Sequence, residues 1–484
     1  MSPPARSSSA GTLRRVLTVT VALLAVALVA VGGSLIRPQA APFKASQSPL
    51  VGRTTTVCTT SPAADATATI SAVAVRKAPG RDGILIGTPI GSTAPLLTVD
   101  RQGFGDQQAA PDTPVVLTGQ GVMATAGSGM VTSRATKGDQ SGLMAAPCVA
   151  PATEHWFVGV GANASYRTDL VLTNPDAGQA EVDLRFYGRN GLVVVPGSPG
   201  LVIDGGGSRT VSLDTLVTVE GPLTVSVRAS TGRVSAVALA RRSVDFQPTG
   251  ADWQLSAVAP ARSVVIPGVP EGAGTRNLVV ANPGGARATV SVMVLGVDGG
   301  FAPAGAEKLE VPPESTAEIS VAPGLAGAAA GIQLASDQPV TGSVVSEAIG
   351  TDALPDLAVQ SATAPIVRTG VVPLVHLDET EAEVVLSNGG DQDVALSFDV
   401  YGYDGVEIDD DDVLLVPHAT ATRRLDVGEA AYLVVSVPAS ASVVGGVTFL
   451  ASSGGIAGVA TVPVISPDVA SRAPQVELDP SVGR

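Results

Sequence analysis

The chain is poor in aromatic residues, with 8 Phe, 5 Tyr and 2 Trp among 484 residues. That is too few for several sugar-stacking platforms. Charged residues make up only 15%. Glu/Lys/Leu-rich stretches of helical period are missing beyond the N-terminus, which argues against helices. There are three histidines, His155, His376 and His418, and none has a second His or a Cys at ligand spacing, so zinc is not expected. No G-x-S-x-G elbow, H-E-x-x-H helix or phosphate-binding loop occurs. Ser133 to Lys137 is one residue wider than an S-x-x-K arrangement. These absences argue against an enzyme, and no catalytic residue, metal or cofactor is expected. What is abundant is Val, Ala, Gly and Pro, and 45% of residues are hydrophobic. Val and Thr with frequent Gly and Pro turns favour strands. At ~150 residues per domain, the length implies three or four domains.

The N-terminus reads as a membrane segment. Val16 to Ile36 is 21 residues without a charge, roughly 32 Å as a helix. Arg6, Arg14 and Arg15 precede it, which places residues 1–15 in the cytoplasm and the bulk outside. The competing reading is a signal peptide cleaved after Gly32 or Ala40, though secretory apolar regions run only ~7–15 residues. Of 29 basic residues, Arg6, Arg14, Arg15 and Arg37 lie at this end. The remaining 25 face 44 acidic residues, so the exported part is near −19. Nucleic acid and anionic cell-wall polymers are therefore poor partners. Cys58 and Cys148 fall in the exported region, where a disulfide is permitted; two free buried thiols are the alternative.

One motif occurs three times. Leu172-Thr173-Asn174-Pro175, Val280-Ala281-Asn282-Pro283 and Leu386-Ser387-Asn388-Gly389 are each followed by an alternating strand. Those strands end in Tyr187-Gly188-x-x-Gly191, Leu295-Gly296-x-x-Gly299 and Tyr401-Gly402-x-x-Gly405. The Asn-to-Asn spacings are 108 and 106 residues. Each Asn suits an Asx-turn, and Asn190-Gly191, Asp298-Gly299 and Asp404-Gly405 suit hairpin turns. Each copy adds a later strand pair, Leu223–Val227 with Val234–Leu239, Gly331–Leu334 with Val340–Val345, and Tyr432–Val437 with Val443–Phe449. Closing segments recur at Ala259-Pro260 and Ala364-Pro365, echoed at Ala146-Pro147.

The expected fold is all-β: tandem immunoglobulin-like β-sandwich modules preceded by one N-terminal transmembrane helix. The expected order is a cytoplasmic tail 1–15, anchor 16–36, linker 37–47 and a divergent β domain 48–149 pinned by Cys58–Cys148. Three sandwiches follow at 150–264, 265–370 and 371–466, then a tail 467–484.

The acidic run Glu407 and Asp409 to Asp412 reads as a solvated loop, with Ca²⁺ binding as the alternative. Trp156, Phe157 and Trp253 are ligand-stacking or domain-junction aromatics. Asn163-Ala164-Ser165 matches a glycosylation sequon, read here as chance.

Around Trp156-Phe157-Val158-Gly159, Leu172-Thr173-Asn174-Pro175 and Tyr187-Gly188-x-x-Gly191, the chain resembles an uncharacterised family of actinobacterial membrane-anchored secreted proteins. The similarity runs from the anchor to near the end and is strongest over 143–191. Family members often carry two Trp where this chain has His155-Trp156. The resemblance implies a cell-envelope location and carries no activity. The resulting expectation is a non-enzymatic envelope protein, structural or protein-binding, with other envelope proteins as partners. Glycopolymer binding through Trp156 or Trp253 is a second expectation, and a hydrolase with a site between modules a third.

Overall fold

The computed structural model describes residues 17–28, 51–60, 67–76, 83–135, 137–347, 356–374, 380–428, 431–451 and 458–467. Two compact units are distinct, one spanning Val51–Ala470 and one formed by Met1–Leu50 with Ser471–Arg484. In the latter, residues 17–28 form a helix. Twelve helical residues reach ~18 Å, short of the ~30 Å hydrocarbon core. Among the described residues no helix is long and apolar enough to cross a membrane. The 16–36 span is thus not shown; residues 16 and 29–36 lie outside the described residues, as do 1–15, the linker 37–47, most of the tail and His376.

The larger unit is all-β. Its first module contains β1 (Arg53–Cys58), β2 (Thr67–Ala74), β3 (Gly83–Pro89), β4 (Leu97–Val99), β5 (Gly105–Ala109), β6 (Val115–Gly121), β7 (Gly127–Ala135) and β8 (Gly142–Pro147). They form two four-stranded sheets, β1-β6-β3-β4 and β5-β2-β7-β8. Ile70 and Val131 from one sheet meet Leu85 and Leu117 from the other in a single core.

The three Asn-bearing modules repeat this pairing. In the fourth module, Thr369–Pro373, Tyr432–Ser436, Val394–Tyr401 and Glu407–Leu415 are neighbours in one sheet. Thr420–Asp426, Thr380–Asn388, Val443–Ala451 and Gly458–Pro463 make the other. In the third module the sixth and seventh strands are one continuous strand, Ala330–Glu347, not two. Its first half pairs in one sheet and its second half in the other.

This pairing corrects the immunoglobulin reading. In that fold the seventh strand pairs with the sixth; here it pairs with the second. Nor are the modules a string. They form a four-bladed, propeller-like arrangement in which the eighth strands come together at the centre: β8, Gln247–Leu255, Leu357–Ser361 and Gly458–Pro463. Each touches the next, and the last touches β8.

The scarce aromatics hold the seams. Trp156 lies on Tyr187 with ring centroids 5.8 Å apart, and both join the core of the third module. Trp253 packs with Met144 and Ala146 of the first module. At the closing seam Tyr432 donates to the Gly103 carbonyl (2.8 Å) and stacks on Tyr401. Tyr432 and Val371 there meet Val73 and Val75 of the first module. Thr316 of the third module donates to the Tyr187 carbonyl of the second (2.8 Å), and Thr420 of the fourth to the Leu295 carbonyl of the third (2.6 Å). In two of the three copies the residue before Gly in the repeated Tyr/Leu-Gly step thus accepts an intermodule bond; in the third, the Tyr401 carbonyl accepts from Ala431 N of its own module.

Candidate functional site

Each sequence-derived candidate has a definite place. Cys58 and Cys148 are bonded, tying β1 to the segment after β8. The same two positions hold Phe157 and Ser256, Ile266 and Ala362, and Val372 and Val464 in the other modules, as the matching bridges Val57↔Val149, Trp156↔Ala257, Val265↔Thr363 and Val371↔Ile465 show. The disulfide therefore stands where the other modules rely on packing.

The repeated Asn is structural. Asn282 Nδ2 donates to the Ala286, Val311 and Pro312 carbonyls (2.7, 3.1 and 3.0 Å), and its Oδ1 accepts from Gly284 N (3.0 Å). Asn174 and Asn388 repeat the pattern. Each closes an Asx-turn and ties the second strand to the segment preceding the fifth. Because all three side chains are buried and saturated, none offers an atom to a ligand.

Trp156, Phe157 and Trp253 are 6%, 0% and 2% exposed, so they present no stacking face to solvent. The acidic run is a strand, Glu407–Leu415, and not a loop. Cross-strand pairing with Val394–Tyr401 fixes it, and Arg423 bridges Asp409 (3.5 Å) and Asp411 (3.0 Å). Asp399 lies opposite Asp410; burial, Glu407, Asp410 and Asp412 push its carboxyl upward. Among the described residues no group of acids, His or Cys is arranged to hold a metal ion. Asn163 of the sequon is engaged, donating to the Val219 carbonyl and accepting from Ser165 N and Tyr166 N.

Two features at the centre were not legible in the sequence. The first is a pair of buried carboxylates, Asp252 and Asp356, 0% and 2% exposed. Asp356 accepts from Leu357 N (2.8 Å), Leu143 N (3.2 Å) and Val459 N (2.8 Å), and Asp252 from Trp253 N (2.8 Å). Those amides belong to, or begin, the eighth strands of all four modules. Each of these is the last strand of its sheet, and edge amides turned away from water need an acceptor. The two carboxylates supply it. Close packing requires glycine beside them: a Cβ on Gly250 would lie 2.5 Å from Leu357 N, and one on Gly142 2.5 Å from Asp356 Oδ1. Burial pushes Asp356 up to about 8. It pushes Asp252 well above the carboxylate range, with the charge of Asp356 adding to the effect. The only sequence signal is an acid set in an apolar context, Ala251-Asp252-Trp253 and Pro355-Asp356-Leu357.

The second feature is a central cavity of about 550 Å³. Segments following the eighth strands of all four modules wall it, through Ala150, Ala259, Ala364 and Ser466. Here the closing Ala-Pro segments find their role. The first module's counterpart is Ala150-Pro151, after the Val57↔Val149 bridge, and not Ala146-Pro147, which lies in β8. The cavity's polar side chains are largely engaged. His155 donates from Nε2 to the Val234 carbonyl (2.8 Å), and burial pushes it below the ordinary His range. Ser256 Oγ accepts from Trp156 N (2.9 Å), Ser361 Oγ donates to the Leu255 carbonyl (2.7 Å), and Ser466 Oγ accepts from Val367 N (2.8 Å). None of these hydroxyls is hydrogen-bonded to a base.

No curated protein matches the chain. A family profile matches residues 105–422, which takes in part of the first blade, the second and third, and much of the fourth. The chain belongs to a family of unknown function (DUF5719).

Proposed function

We propose that the protein is a non-enzymatic, extracytoplasmic scaffold of the cell envelope that holds a segment of a partner protein in its central cavity. The observation that carries this reading is the cavity wall. It is built mainly of apolar residues from all four modules, with Glu154, Gln360, Thr363 and Thr461 among them, and its serines and histidine are committed to backbone bonds. Such a wall offers shape and apolar contact to a segment of small side chains, with no activated nucleophile. An oxidising compartment is supported by the Cys58–Cys148 bond. Membrane attachment with the N-terminus in the cytoplasm is supported by the uncharged run Val16 to Ile36 behind Arg14 and Arg15.

The test places a photocrosslinking residue at Ala364 of the full chain in its native envelope. The expected result is a discrete protein adduct that disappears when Ala259→Trp fills the cavity without changing thermal stability. Adducts confined to lipid or glycan, or a protein adduct indifferent to the filling, would overturn it. Protease accessibility and N-terminal mapping of the mature chain test the topology.

A further inference from the structure

Arg276 is anomalous within the repeat. It lies six residues before Asn282 on the second strand of its module, Thr275–Asn282. The same position holds Thr168 and Ala382 in the other two Asn-bearing modules, and all three are interior, at 3%, 0% and 0% exposed. A cation thus stands where the repeat otherwise places a small side chain.

No carboxylate neutralises it among the described residues. Glu271, five residues away, turns its carboxylate to Arg424. Glu347, opposite Thr275 in register, goes to Arg242 (2.8 Å). The guanidinium meets only backbone oxygens: Nη1 donates to Thr275 O (2.8 Å), and Nη2 faces Pro270 O (3.2 Å), Glu271 O (3.5 Å) and Gly272 O (3.2 Å). Carbonyl dipoles orient the group but leave its unit charge unmatched, and a buried unmatched charge is costly. Burial alone pushes Arg276 down to about 10. Nε makes no hydrogen bond within the described residues, so part of the five-donor fork is unspent.

A cavity of about 400 Å³ lies beside it, walled by small residues from the 272–274 loop and the 326–328 turn together with Leu325. We propose that Arg276 and this cavity form a binding site for a small monocarboxylate with an apolar body. A planar guanidinium matches a carboxylate. One cation in the wall, on a chain of net charge −15, matches one negative charge and not a phosphate dianion. The apolar body occupies the Leu325 side. This site is separate from the central cavity and independent of the scaffold reading.

The test is calorimetric titration of the full chain with acetate, butyrate and benzoate at constant ionic strength, with inorganic phosphate and butanol as controls. Saturable carboxylate binding is expected, at least about tenfold weaker in Arg276→Gln and in Ala328→Phe. The second variant fills the cavity from an exposed position and leaves the guanidinium in place, so it decides the matter if the first does not fold. The proposal is overturned by no saturation with any of the three acids up to about 50 mM. Binding unchanged by the filling, or phosphate binding as tightly as the acids, also overturns it and leaves Arg276 as a latch for its own loop.

Discussion

Raising the pH weakens the ring through Asp356. Folded, its carboxyl titrates at about 8; unfolded, an aspartate titrates near 3.9. The folded value is the higher one. The stabilising contribution is therefore fully present below about pH 4 and is lost as pH rises through 8. Over that interval the unfolded chain gives up a proton that the folded chain keeps. Four units at ~1.4 kcal/mol each give a ceiling of roughly 5.5 kcal/mol. Asp252 acts in the same direction, as does Glu383, whose burial lifts it to about 7. His155, pushed below its ordinary value by burial, acts oppositely, but only below about pH 6.5. The window free of the opposing histidine is thus about pH 6.5 to 8.5, where the wild type loses on the order of 2 kcal/mol from Asp356, with Glu383 adding to the fall. The assay is the denaturant midpoint across that window at fixed ionic strength. Asp356→Asn keeps a carbonyl acceptor and removes the ionisation, so its profile is flatter than the wild type's, whatever its absolute stability. Glu383→Gln is the control for the second buried acid that titrates within the window. Equal wild-type stability at both ends of the window, or an equally steep fall in Asp356→Asn, refutes the reasoning.

Other consequences are as specific. Reducing the Cys58–Cys148 bond, which spans 90 residues, costs ~4–5 kcal/mol in the chain-entropy model and is read as a fall in melting temperature with reductant. Asn282→Ala removes one acceptor and three donor contacts from a buried site and destabilises by about 2–4 kcal/mol, measured by denaturant unfolding. Tyr432→Phe deletes the bond to Gly103 across the closing seam. The expected cost is about 1 kcal/mol, with faster amide exchange concentrated around Val73 and Val75.

Local structure was largely legible. The Asn motif announced its Asx-turn, and Asn282 makes that turn with the bonds a side-chain amide permits. The expected strands Leu223–Val227, Val234–Leu239, Tyr432–Val437 and Val443–Phe449 fall on Val219–Thr231, Ser235–Val244, Tyr432–Ser436 and Val443–Ala451. Two readings failed for a shared reason. The run Gly331 to Val345 looked like two strands because polar residues interrupt it, yet it is one strand passing between sheets. The acidic run looked like a loop because repulsion opposes pairing, yet Arg423 and the alternating Val413 and Leu415 hold it in the sheet. In both, partners distant in sequence outweighed local composition.

Period-two alternation, the turn residues and the spacing of about 107 residues determined by themselves that this protein is built of repeated β modules, with one cysteine pair available to staple the first. They act over a few residues or between identical segments, so they can be read in one dimension. Only the tertiary structure decided how strands pair between sheets and how modules meet. A repeat of fixed length serves a string or a ring equally. The angle between modules is set by side chains at the seams, such as Tyr187, Tyr401 and Tyr432. Closure then creates what no single module contains: the Asp252 and Asp356 pin shared by four strand edges, and the cavity walled by four segments roughly a hundred residues apart.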